Sequence, residues 1–89
     1  MPWVWDYDLD ETQFRALLDG SRTLGRLDRD WAAVRLLEHG SWRDIRRLLS
    51  LSELVRGWPA WRGRVRSVSR VRGLDFLVEW LPVHRPDLL

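Results

Sequence analysis

Cysteine is missing from this 89-residue chain. That excludes a disulfide framework, a thiolate zinc site and a cysteine nucleophile. Small secreted domains usually rely on such staples, so the absence points to a cytoplasmic protein. Lysine is missing as well: all fifteen basic residues are Arg. Arg keeps its charge, pairs bidentately with carboxylate or phosphate, and stacks on aromatic faces. A GC-rich or hot-living source accounts for the same bias without any functional choice. No apolar run approaches the roughly 20 residues of a membrane span, so no membrane partner is expected. The opening Met1-Pro2-Trp3-Val4-Trp5-Asp6 turns acidic where a signal peptide would be basic and then apolar. The six Gly fall singly, and none builds a phosphate-cradling loop.

The chain does carry sixteen Leu, eight Val and seven Trp, ample apolar surface for one small core. The punctuation is that of short helices. Asp10 is an N-cap with Gln13 as its capping-box partner, and Phe14, Leu17 and Leu18 follow at helical spacing up to Gly20. Asp28 caps a second helix with Trp31, Val34 and Leu37 on one face, ending at Gly40. Ser41 caps a third, carrying Trp42, Ile45, Leu48 and Leu49. Residues 50–57 read as a turn with about one helical turn begun by Ser52, after which Trp58-Pro59 starts a new element. Residues 64–72 fit either helix or strand. Ser67 or Ser69 then caps a last helix with Val71, Leu74, Leu77, Val78 and Leu81 inward, ended by Pro82. The expectation is an all-α fold: a single domain over 1–89 with four to five short helices, an extended acidic and aromatic segment at 1–10, and an extended tail at 82–89.

Enzymatic chemistry finds little support. Asp6, Asp8 and Asp10 suggest a metal loop, but a calcium loop starting at Asp6 needs Gly at its sixth position and Glu at its twelfth; Glu11 and Leu17 stand there. His39 suits the C-terminal end of a helix dipole, and His84 lies in the tail. No nucleophile elbow is present. Neither a catalytic residue nor a cofactor or metal is expected.

Charge is the strongest signal. Net charge is +2, yet residues 1–40 carry five Arg against eight acids and residues 41–89 ten Arg against five. Arg56, Arg62, Arg64, Arg66, Arg70 and Arg72 form a strip with no intervening acid. Trp58 and Trp61 lie within it. Trp and Arg dominate protein-interaction hot spots, so these residues are the candidate partner- or nucleic-acid-binding set. The structural alternatives are that half of the Arg pair within the fold and that both Trp plug a small core. Trp31, Trp42 and Trp80 sit on apolar helical faces and read as core.

The stretch Leu36 to Leu49, with Gly40 ending one helix and Ile45-Arg46 in the next, resembles the first junction of bacterial helix-turn-helix domains. Gly57 and Pro59 cut short the recognition helix that should follow. DNA is therefore the alternative partner, through an Arg-rich phosphate-contacting strip. Three further stretches together resemble a family of short antitoxin-like proteins encoded beside AbiEii/AbiGii-type nucleotidyltransferase toxins. These are Trp5-Asp6-Tyr7-Asp8 with Asp10; Asp30-Trp31 through Leu36-Leu37 to Gly40 and Ile45; and Ser69-Arg70 through Leu74-Asp75-Phe76. Asp75 replaces the Asn usual there, and Trp58-Pro59-Ala60-Trp61 is extra. The resemblance implies a non-enzymatic interaction module whose protein partner is such a toxin. A homodimer closed by a Trp-rich face is a third expectation.

Overall fold

The computed structural model describes residues 10–89, and the expected strip at 1–10 lies outside them apart from Asp10. Five α-helices follow one another: α1 Glu11–Leu18, α2 Arg29–His39, α3 Trp42–Leu48, α4 Leu51–Trp61 and α5 Val68–His84. Short 3-10 turns at Arg62–Arg64 and Pro86–Leu88 complete the order. Among the described residues there is no strand, only an isolated bridge closing the turn between Leu24 and Leu27. The fold is all-α, as the helical spacing of the apolar residues requires.

The helix starts follow the side chains that satisfy their first free N–H groups. Asp10 accepts from the Gln13 amide at 2.8 Å while the Gln13 side chain accepts from the Asp10 amide at 3.1 Å, a complete capping box. Asp28 accepts from the Trp31 amide and Ser41 from that of Asp44. Ser50, rather than Ser52, caps α4 by accepting from Glu53 at 3.0 Å. The last helix is capped by Ser67. Residues 65–67 are extended, so the ambiguous stretch 64–72 is split between a 3-10 end, a short connector and the first turn of α5.

Two prolines correct the sequence reading. Pro59 does not open a new element; α4 runs through it to Trp61. Pro82 does not end α5, which continues to His84, and the tail closes as a 3-10 turn instead of staying extended over 82–89. Each Pro lies in the last turn of its helix, where only one backbone hydrogen bond is forfeited and few residues remain to be kinked. In α4 the gain that offsets it is burial of Trp58 and Trp61, both 2% exposed.

The core gathers Phe14 and Leu17 of α1, Leu36 and Leu37 of α2, Ile45 of α3, Leu54 of α4 and Leu74 and Leu81 of α5. Phe14 meets Trp31 edge-on at 6.4 Å. Helices this short are marginal alone, so this shared core supplies their stability. Gly57 is part of it: the Trp61 ring lies over its Cα, and a Cβ there would overlap the ring. Gly63, by contrast, has nothing within 4 Å of a Cβ. Gly57→Ala should therefore destabilise the domain by about 1–3 kcal/mol in urea titration, although Ala is the better helix former. Gly63→Ala should change it by less than about 0.5 kcal/mol. Equal stability of the two variants would contradict this packing.

Candidate interaction surface

The Arg-rich strip of the sequence is divided by the fold into residues that hold it together and residues that face solvent. Trp58 and Trp61 belong to the first group and form no exposed patch, which corrects that expectation. Trp58 Nε1 donates to Asp75 Oδ1 on α5 at 2.7 Å. Trp61 Nε1 donates to Asp30 Oδ1 on α2 at 2.8 Å. Each indole buries its rings and still satisfies its single donor. One helix is thereby pinned to two others.

Arg62 completes the first of these contacts. Its Nε and Nη2 donate to Asp75 Oδ1 and Oδ2 at 3.0 and 2.8 Å, a bidentate pair. Arg70 donates from Nη1 to the Leu37 and Gly40 carbonyl oxygens, at 3.1 and 2.5 Å, and so caps the C-terminal end of α2. Both Arg are structural. Arg56 donates to the Ser52 carbonyl oxygen at 3.4 Å, makes no ion pair among the described residues, and is exposed. Arg64, Arg66 and Arg72 are exposed and make no ion pair among the described residues.

Arg64 and Arg66 do not stand alone. The turn after α4 brings them against α2, where Arg35, His39 and Trp31 complete an open cleft of about 600 Å³. Glu38 is the acid in its wall, and its Oε1 accepts from the Arg66 backbone amide at 3.2 Å. The exposed Arg64 and Arg66 guanidinium groups make the cleft attractive to anionic groups. Arg35 and Trp31 come from α2, outside the Arg56–Arg72 strip, and the strip itself gives no sign that they join it. The i, i+4 relation of Trp31, Arg35 and His39 on one helical face is the signal that could have found them.

Trp42 and Trp80 reverse the sequence reading, whereas Trp31 packs against the core as expected. Trp42 is 49% exposed and Trp80 37% exposed, whereas both were expected in the core. Helical spacing identifies the apolar face of a helix but not how far its neighbours extend to cover it. Trp31 is half-buried, and Trp3 and Trp5 lie outside the described residues. His84 is in the last turn of α5, stacked on Trp80 at a centroid distance of 4.9 Å. Of the Asp6, Asp8 and Asp10 run, only Asp10 is described, and it caps α1. No group of three metal-ligating side chains occurs among the described residues, and no described helix is long and apolar enough to cross a membrane.

The chain matches no protein-family model, no curated protein and no solved structure.

The Asp75 contact has a pH signature. Hydrogen bonds from Arg62, then from Trp58, hold its carboxyl at about 2, below its ordinary 3.8. A carboxyl depressed on folding stabilises the native state above its unfolded value, and that contribution disappears as pH falls through the folded value. Stability should therefore drop between about pH 4 and pH 2, and Asp75→Asn should lose the part of that slope due to this proton. Thermal unfolding of both proteins across that range checks it. Parallel acid limbs would contradict the assignment.

Proposed function

We propose that this chain is a non-enzymatic protein-binding module that seats its basic cleft on an acidic partner, as the antitoxin-like half of a toxin pair. The supporting observation is the convergence in one cleft of Arg64 and Arg66, which form no ion pair among the described residues, beside Arg35 and His39 of α2. The sequence resemblance supplies the partner class, a nucleotidyltransferase. Such an enzyme works at metal-binding carboxylates, and a guanidinium-lined surface complements an acidic site electrostatically. Half-buried Trp31 gives the cleft an aromatic wall for a partner side chain. The candidate set accordingly narrows to Arg64, Arg66, Arg35 and Trp31, with Arg56 and Arg72 outside the cleft.

A second reading, duplex DNA, is favoured by α4. It has eleven residues, rather than the single helical turn that its Gly and Pro imply, and follows α3 after a two-residue link. Yet its apolar residues Leu51, Leu54, Trp58 and Trp61 face inward, leaving Arg56 as its exposed cation. If Arg56, Arg64, Arg66 and Arg72 contacted phosphates, log affinity would fall with log salt at a slope of about −4.

Co-expression with the neighbouring reading frame, tagging only that neighbour, tests the first reading. A stoichiometric complex is expected, and Arg64→Glu with Arg66→Glu should abolish it while leaving the helical CD spectrum unchanged. A complex indifferent to both reversals would remove the cleft as the interface. Recovery of this chain in the flow-through, with salt-sensitive binding to its own promoter, would favour DNA.

A further inference from the structure

Helix α5 presents a second surface, and it shares no residue with the basic cleft. Its inner positions, Leu74 and Leu81, are buried, whereas Phe76, Trp80 and Val83 point outward at 66%, 37% and 74% exposure. These three recur at i, i+4 and i+7 and so form one ridge along the helix. Gly73 lies a turn before Phe76 on the same side. A Cβ at Gly73 would meet nothing within 4 Å, so the ridge has an open notch at its N-terminal half. That notch opens into an apolar groove of about 350 Å³ lined by Leu37, Trp42, Ile45, Leu74 and Leu77. A bulky residue and a vacant notch, one helical repeat apart, belong to the same helix.

The charges beside the ridge are arranged in the same self-complementary way. Arg72 and Glu79 are both exposed, seven residues apart on one edge, and neither forms an ion pair among the described residues. Two α5 helices packed antiparallel, with the dyad between Phe76 and Leu77, bring Trp80 of each copy over Gly73 of the other. Antiparallel packing sets like edges against each other, so Arg72 of each copy meets the partner's Glu79. A two-fold interface requires this reciprocity, in which residue i contacts j and j contacts i. The stacking of His84 on Trp80 sets the indole's plane before any partner arrives.

We infer that the Gly73–Phe76–Trp80–Val83 ridge of α5 is a homodimer interface, in which two copies pack antiparallel with Trp80 seated in the Gly73 notch. An acidic partner would suit the Arg72 end but be repelled at Glu79, and an apolar groove-binding helix would leave both charges unmatched. A second copy satisfies both. With one helix contributed per protomer the interface is small, so the dimer dissociates at accessible concentrations.

Sedimentation equilibrium of the untagged full chain, alone, tests this. The apparent mass should rise from 10.7 kDa toward twice that value as concentration increases, up to on the order of 1 mM. Gly73→Gln fills the notch with a good helix former whose Cβ meets nothing within 4 Å in the monomer, so it should stay monomeric with an unchanged unfolding midpoint or a raised one. Glu79→Arg sets Arg against Arg twice per dimer and should weaken association at least about tenfold. Adding Arg72→Glu to it should restore association to within about threefold of wild type. A wild-type chain monomeric throughout would overturn the proposal. So would a dimer that survives Gly73→Gln, or a charge reversal that the double swap fails to rescue.

Discussion

Two indole-to-carboxylate hydrogen bonds hold α4 in place, and the other surfaces follow from them. Trp58 reaches forward to Asp75 on α5, and Trp61 reaches back to Asp30 on α2. Both rings are buried and both N–H groups are paired, so each Trp contributes apolar burial without leaving a donor unsatisfied. The arrangement needs Gly57 beneath the Trp61 ring and tolerates Pro59 between the two indoles. The helix therefore carries two of the weakest helix formers and is kept by what its side chains bury.

This anchoring decides which charges are left for a partner. Arg62 is drawn into the Asp75 contact and Arg70 into the end of α2, while Arg47 bridges Glu11 of α1 and Asp44 within α3. What remains of the basic strip is Arg56, Arg64, Arg66 and Arg72. Arg64 and Arg66 meet Arg35 in the cleft, and Arg72 borders the α5 ridge. A strip that is continuous in sequence thus becomes separate surfaces of different chemistry, one basic and one apolar with an opposite-charge pair on its edge.

The helices were legible because their signals are local. Caps at Asp10, Asp28 and Ser41, and apolar residues three and four apart, identify α1 to α3 and most of α5 in the sequence. The prolines misled because their cost depends on position: in a last turn it is offset by burial that sequence spacing does not reveal. The Trp residues misled for a tertiary reason. Trp42 and Trp80 lie at core-like spacing, but neighbouring elements cover them only in part. Trp58 and Trp61 lie among Arg residues, yet find carboxylates on distant segments, 17 and 31 residues away. Nothing in the local sequence announces Asp30 or Asp75 as their acceptors. Arg70 is a similar case, since a helix end some 30 residues earlier in the chain occupies it.

Hydrogen exchange of the indole N–H protons, assigned with single Trp→Phe variants and followed by NMR, tests this division of the tryptophans most directly. The Trp58 and Trp61 indole protons should exchange only through opening of the whole domain, while that of Trp42 exchanges at nearly the rate of free indole. Fast exchange at Trp58 and Trp61, matching Trp42, would mean that α4 is not anchored through them. The division of the basic strip between the fold and the solvent-facing surfaces would then fall with it.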